Sequence, residues 1–245
     1  MSSYNKMAKV YDQLINEDIN YKEIAEYLLT VAKKENVKFD NYLDLACGTG
    51  NVGIHVGKEF KENYFVDLSP DMLTEVEQKL RDNKLKANII CQNMCELELG
   101  KKFNLISCVL DSTNYILDEE DLKDYFKGVY DHLEDDGVFV FDINSYYKLS
   151  EVLGNNIYSY DNEEIFYTWE NIFEDDIVEM SLTFFIRDAY LYERFDEIHE
   201  ERAYHEDEIE DIFKSVGFKM ISKHEGYSSN EVKENSERIL YILKR

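Results

Sequence analysis

Five short apolar runs, Tyr42 to Leu45, Tyr64 to Val66, Ala87 to Cys91, Phe103 to Val109 and Val138 to Phe141, punctuate the first 145 residues. Between them, apolar residues recur at helical spacing. Strands that alternate with amphipathic helices in this way predict a parallel sheet covered by helices, the α/β class. The first of these helices is expected over Val52 to Phe60. The next begins at Ser69, whose side chain suits an N-cap, with Pro70 at the favoured first position and Met72 and Leu73 turned inward. A third spans Asp118 to His132 and is stopped by Asp135-Asp136-Gly137. From about Ile157 to Tyr204 the period changes from helical to two. Val178, Met180, Leu182, Phe184 and Ile186 alternate with more polar or outward positions, which marks a half-buried strand. Glu164 to Phe173 before it and Tyr190 to Tyr204 after it complete a three-stranded antiparallel meander, inserted after the fifth parallel strand. A helix over Glu206 to Val216, ended by Gly217, leads to apolar runs at Phe218 to Ser222 and Arg238 to Leu243 that close the sheet.

Composition narrows the class of partner. The 245 residues are 44% hydrophobic and 14% aromatic, enough for a folded core of one or two domains. Asp and Glu outnumber Lys and Arg by 52 to 27, for a formal net charge of −25. Such a field repels polyanions over a Debye length of about 8 to 10 Å, so nucleic acid is not expected as a partner. The basic clusters, Lys33-Lys34, Lys84 to Lys86 and Lys101-Lys102, are short and read as solvated surface. No N-terminal stretch reads as a signal peptide, and no apolar run approaches the roughly 18 residues of a membrane span, so a cytoplasmic chain without a membrane partner is expected. Cys47, Cys91, Cys95 and Cys108 fall in or beside predicted buried strands and are expected to pack as reduced thiols, with no metal site.

Chemistry concentrates in one loop. Leu43 to Gly53 reads L-D-L-A-C-G-T-G-N-V-G, with Gly48, Gly50 and Gly53 at G-x-G-x-x-G spacing between a strand and a helix. That spacing lets backbone approach a ligand closely at a helix N-terminus. An acid stands on each side: Asp44 in the preceding strand, and Asp67 at the end of the next, 17 residues beyond Gly50. The second is placed to present a carboxylate to ribose hydroxyls, so the pair describes an adenosine-binding crevice. A pyrophosphate held in the loop would face Asp44 anion to anion, whereas a cationic ligand without phosphate would not be penalised. S-adenosylmethionine, with a sulfonium and an ammonium, fits this charge pattern.

Asp44 to Gly50 (D-L-A-C-G-T-G) together with Val66 to Leu73 (V-D-L-S-P-D-M-L) resembles the class I S-adenosylmethionine-dependent methyltransferases. Cys91 to Leu97 resembles the family's third-strand segment, with Asn93 where an acid commonly faces the adenine. Phe103 to Leu117 resembles the fourth strand and its loop, with Asp111 near the methionine end of the cofactor. Gly137 to Asn144 resembles the fifth strand. Tyr4 to Leu14 is similar to the cap helix of small-molecule members, including sugar-amine N-methyltransferases. The resemblance implies a Rossmann-like, mostly parallel seven-stranded sheet with helices on both faces and an inserted antiparallel β meander. It divides the chain into an N-terminal helical cap (1–36), a catalytic domain (37–145 and 206–245) and a β lid (146–205). It implies that Tyr4, Tyr11, Asp44, Ala46, Gly48, Gly50, Asp67, Leu68, Met72, Asn93, Met94 and Asp111 surround S-adenosylmethionine.

The reaction implied is methyl transfer to a small-molecule acceptor, an amine or a hydroxyl, by in-line displacement, in which positioning and exclusion of water carry most of the catalysis. Asp111, Tyr11 and His205 are the candidates for a catalytic group, and Asp142, Tyr146 and His199 also fall near predicted strand ends or the insert. Tyr11 serves equally well as core, since Met7, Val10, Tyr11 and Leu14 share one helical face. Two other functions use the same glycine spacing: an NAD(P)-dependent oxidoreductase, and a non-catalytic protein that binds S-adenosylmethionine as a sensor. The aromatic insert suits either a lid over the acceptor or a dimer surface, so a monomer and a homodimer both remain open.

Overall fold

The computed structural model describes residues 19–245. Its main sheet has seven strands in the order β10-β11-β5-β4-β1-β2-β3. These are β1 (Asn41–Leu45), β2 (Glu62–Asp67), β3 (Asn88–Cys91), β4 (Phe103–Cys108), β5 (Leu133–Asn144), β10 (Lys219–Glu225) and β11 (Arg238–Lys244). The first five run parallel; β11 alone is reversed, pairing antiparallel with both β5 and β10. Strand order reverses between β1 and β4, and the carboxyl ends of these two strands open the crevice expected at such a switch point.

Helices α1 (Tyr21–Lys34), α2 (Gly53–Gly57), α3 (Pro70–Asn83), α4 (Glu119–His132) and α5 (Glu206–Val216) cover the two faces. On one side, Ile24, Leu28 and Val31 of α1 pack with Val52, Val56, Leu105 and Val140. On the other, Leu122, Tyr125, Phe126 and Val129 of α4 meet Phe139, Phe141 and Tyr241, joined by Ile209 and Phe213 of α5. The amphipathic spacing of the sequence thus lands its apolar stripes on the sheet, where each fully buried side chain of this size contributes about 1.5–3 kcal/mol. Local signals set the ends. The Met72 amide donates to Ser69 Oγ at 3.3 Å, with Pro70 in the first turn of α3. Gly217 closes α5 at a φ of 118°, in a conformation that costs glycine little.

Helix α2 is shorter than the expected Val52 to Phe60. Gly53 and Gly57 bound it, and both are held tightly against neighbours: a Cβ at Gly53 would lie 2.1 Å from Asp44 Oδ2, and one at Gly57 2.9 Å from Asn63 Oδ1. The chain there is designed for close approach to the sheet rather than for helix length.

The insert is a four-stranded antiparallel sheet, not three-stranded: β6 (Ile157–Asp161), β7 (Ile165–Glu174), β8 (Ile177–Asp188) and β9 (Leu191–Arg202), in sequence order. The added strand β6 escapes the hydrophobic pattern because four of its five residues are exposed. Its register is fixed by aromatic pairs instead, Tyr158 opposite Trp169 and Tyr160 opposite Tyr167. Cys91 also departs from expectation. It is exposed, because β3 is the edge strand of the large sheet, while Cys108 in central β4 is buried.

Candidate functional site

A cavity of about 1010 Å³ opens at the carboxyl ends of β1, β2 and β4 and runs beneath the small sheet. Its near half is built from the glycine-rich loop. After β1 the chain takes left-handed backbone at Ala46 (φ 53°), Gly48 (φ 52°) and Gly50 (φ 78°). At Ala46 such a conformation costs about 1–2 kcal/mol, which is characteristic of backbone shaped around a ligand. A Cβ built at Gly48 would meet nothing within 4 Å, so this residue borders open cavity, whereas one at Gly50 would come within 3.1 Å of Val76. Gly48 therefore serves close approach of a ligand, and Gly50 serves close packing of the loop on α3.

Two carboxylates hold the loop. Asp67 Oδ2 accepts from the Gly48 amide at 2.8 Å and Oδ1 from the Ser69 amide at 2.9 Å. Each oxygen keeps a second lone pair. Burial nonetheless raises the Asp67 pKa. Asp44 is 2% exposed; its Oδ1 accepts from Ser107 Oγ at 3.2 Å, and Ser107 is in turn bonded to the Tyr42 hydroxyl at 2.7 Å. Desolvation pushes the Asp44 carboxyl up to about 7, with the Ser107 hydrogen bond opposing and the Asp67 charge adding to the rise.

That value has a consequence for stability. An acid whose folded pKa lies above its unfolded value, about 3.9, binds the proton more tightly in the folded state. Its contribution is complete below about pH 4 and is lost as pH climbs to about 7, on the order of 4 kcal/mol for a shift of this size. Asp44→Asn is expected to flatten this part of the stability profile, measured without ligand by urea denaturation at several values between pH 4 and 8. An unchanged slope in the variant would show that Asp44 is ionised throughout.

The loop after β4 is strained at two consecutive residues, Leu110 (φ 63°) and Asp111 (φ 60°). The buried Asp142 carboxylate of β5 holds both, accepting the Leu110 amide at 2.9 Å and the Asp111 amide at 2.8 Å. Arg238 of β11 then bridges the two acids, donating to Asp142 Oδ1 at 2.5 Å and to Asp111 Oδ1 at 2.6 Å, and the Tyr227 hydroxyl donates to Asp142 Oδ2.

Of the residues singled out from the sequence, Asp44, Ala46, Gly48, Asp67, Leu68, Met72, Asn93, Met94 and Asp111 all border this one cavity. Leu68 is 67% exposed at its rim, and Met72 is buried beside it. Asn93 differs in detail from expectation: its Oδ1 accepts from the Cys95 amide at 3.1 Å, capping a short 3-10 turn (Met94–Glu96), so its NH2 is the end left to face a ligand. Asp111 is engaged by Arg238 and enters the cavity as half of an ion pair. His205 lies outside the cavity wall. It precedes α5, is exposed, and stacks on Tyr146 with ring centroids 4.1 Å apart. Tyr4 and Tyr11 lie outside the described residues.

The far half of the cavity comes from the insert. Tyr167, Trp169, Met180, Leu182 and Phe184 form an apolar wall, and His199 and Glu201 of β9 place polar groups in it with Tyr115, Asn144 and Lys148. His199 Nδ1 and the Tyr115 hydroxyl are 3.4 Å apart, and burial lowers the His199 pKa, which keeps the ring neutral. Glu201, Lys148 and Arg238 were not singled out from the sequence. Period-2 alternation finds apolar inward positions, and Glu201 occupies an inward position without being apolar.

A methyltransferase-domain family model matches residues 43–137. A solved S-adenosylmethionine-dependent methyltransferase from Clostridium acetobutylicum ATCC 824 is 51% identical, superimposes with a TM-score of 0.94 and is matched over 99% of both chains. A Streptomyces venezuelae protein named dTDP-3-amino-3,4,6-trideoxy-α-D-glucopyranose N,N-dimethyltransferase is 31% identical over 54% of this chain and 55% of its own. The solved structure of DesVI from Streptomyces venezuelae has the same fold at 24% identity, with a TM-score of 0.81 over 97% of both chains.

Proposed function

The chain belongs to the S-adenosylmethionine-dependent methyltransferases, and we propose that it methylates the amino group of a small molecule bound beneath the insert. The residues present suit the cofactor. Gly48 leaves open space beside bare backbone, and Asp67 keeps two lone pairs free after holding the loop. Asp44 supplies a buried carboxyl for an ammonium. S-adenosylmethionine, when bound, supplies a methyl group on a cationic sulfur. The protein's part is to hold the donor and acceptor in line and to keep water out.

In this reading Asp67 accepts the ribose hydroxyls. Leu68, Met72 and Met94 pack on the adenine, and the NH2 of Asn93 donates to a ring nitrogen. Asp44 and the amides around Gly48 face the methionine end. Ammonium near Asp44 favours its ionised form, so cofactor binding near neutral pH is accompanied by proton release from that carboxyl. Asp111 is a positioning group, kept in place by Arg238.

The observation that carries the acceptor assignment is the lining of the far half, an aromatic and aliphatic wall interrupted by a buried carboxyl group. Such a wall suits a compact, partly apolar molecule with a basic nitrogen. The acceptor named for the Streptomyces venezuelae relative, an amino sugar, is of this kind. The test is formation of S-adenosylhomocysteine on incubation with free and nucleotide-linked amino sugars, each beside its hydroxyl counterpart. Turnover confined to the amines is expected. Turnover confined to hydroxyl compounds would refute the acceptor class, and cofactor binding without turnover of any compound would favour a sensor.

A further inference from the structure

Strand β9 is built inside out. Its inward positions hold Glu197, His199 and Glu201, all buried, while Ile198 between them is 66% exposed. Hydrophobic burial favours the reverse arrangement, and a strand that departs from it in this way is one that presents polar groups for use.

Glu201 is held with one oxygen engaged and one available. Lys148 Nζ donates to Asn144 Oδ1 at 2.9 Å, which leaves the Asn144 NH2 turned toward β9, and Nδ2 donates to Glu201 Oε2 at 2.8 Å. Oε1 takes no hydrogen bond from the described residues, and Glu201 borders the cavity. The other acid of this half, Asp111, is occupied by Arg238. A carboxylate fixed through one oxygen, in a cavity whose apolar wall includes Trp169 and Phe184, is a receptor for a single donor group.

We propose that Glu201 selects the amine: its Oε1 accepts a hydrogen bond from the acceptor's amino group and balances the positive charge on that nitrogen. This rests on the amine-acceptor reading above. The chemistry asks for such a group. As the C–N bond forms and the C–S bond breaks, the positive charge leaves sulfur and appears on nitrogen, producing a methylammonium and a neutral thioether. An acceptor that arrives as an ammonium must first lose one proton to solvent, which leaves the Glu201 carboxylate ionised to face the charge that then appears on nitrogen. A hydroxyl acceptor brings no such charge.

The charged groups around Glu201 are Asp111 of the loop after β4, Lys148 beyond β5 and Arg238 of β11; neutral His199 is its neighbour on β9. Burial, and then Asp111, push its carboxyl up to about 8, against the Asn144 hydrogen bond and the two cations. Its ionisation therefore falls within an accessible pH range.

The experiment compares wild type with Glu201→Gln and Glu201→Asp, using 3-amino-3-deoxyglucose, free and nucleotide-linked, and the matching glucose compounds. S-adenosylmethionine affinity, measured by calorimetry, reports whether each variant is folded. Glu201→Gln is expected to lower kcat/KM for the amine at least 100-fold with cofactor affinity within about twofold of wild type. It should also remove an ionisation near pH 8 from the wild-type rate profile, leaving only that of the amine. Glu201→Asp, with its charge kept and its reach shortened, should fall between. Unchanged amine turnover and an unchanged pH profile in Glu201→Gln would overturn the assignment of Glu201 while leaving the amine reading in place. If Glu201→Gln fails to bind cofactor, full activity in Glu201→Asp overturns it instead. Absence of turnover with every amine overturns both.

Discussion

Asp67→Ala is expected to weaken S-adenosylmethionine binding by at least about 100-fold in calorimetric titration. Two contributions act together. The carboxylate is proposed to accept both ribose hydroxyls, and each hydrogen bond to a charged group contributes about 1.5–3 kcal/mol. It also fixes the loop, through the Gly48 and Ser69 amides. Without it, the Gly48 amide loses its partner beside the cavity, and the left-handed turn from Ala46 to Gly50 loses the side chain that defines it. Asp67→Asn separates the two contributions. Its amide oxygen can still accept one of the two loop amides, so loss of affinity equal to that of the alanine variant would assign the effect to the ribose contact. Affinity within threefold of wild type in Asp67→Ala would remove the carboxylate from the cofactor site altogether.

The second large effect is expected at Arg238. Replacing it with Met keeps most of the side-chain volume but withdraws the cation that sits between Asp111 and Asp142. Asp142 is fully buried, and breaking a buried pair by removing one partner costs about 3–5 kcal/mol because the remaining charge is left uncompensated. At roughly 2–4 °C per kcal/mol for a chain of this size, the melting temperature should fall by about 6–20 °C. The strained Leu110-Asp111 turn is expected to relax with it, so cofactor affinity should fall as well. A variant with wild-type melting temperature and affinity would show that the Asp142 hydrogen bonds to the loop amides and to Tyr227 suffice on their own.

The parts of this molecule that are legible in its sequence are those fixed by neighbours in the chain. Ser69 and Pro70 announce the start of α3, Gly217 ends α5, and the glycine-rich loop with Asp44 and Asp67 marks the near half of the cavity, because caps, turns and strand ends depend on a few adjacent residues. The remainder depends on distance. Arg238 reaches Asp142 across 96 residues and Asp111 across 127, and neither spacing has a local signature. His205 stands near a strand end, where catalytic histidines are sought, yet it stacks on Tyr146 at the surface. Glu201 was invisible for a different reason. Hydrophobic alternation along Asp196 to Arg202 points Ile198 inward, and only the pairing of β9 with β8, Val178 opposite Glu201 and Ser181 opposite Ile198, sets the opposite phase.

Strand β11 comes last in chain order but occupies an interior place between β5 and β10. During synthesis, therefore, β10 has no edge to join until its successor emerges, and the ion pair that holds the Asp111 side chain waits for Arg238. A ribosome-bound chain can complete the helices and the five parallel strands while still lacking a finished donor pocket. The turn beside the donor pocket is in this sense finished by a strand that follows all five parallel ones, when β10 and β11 zip into the sheet.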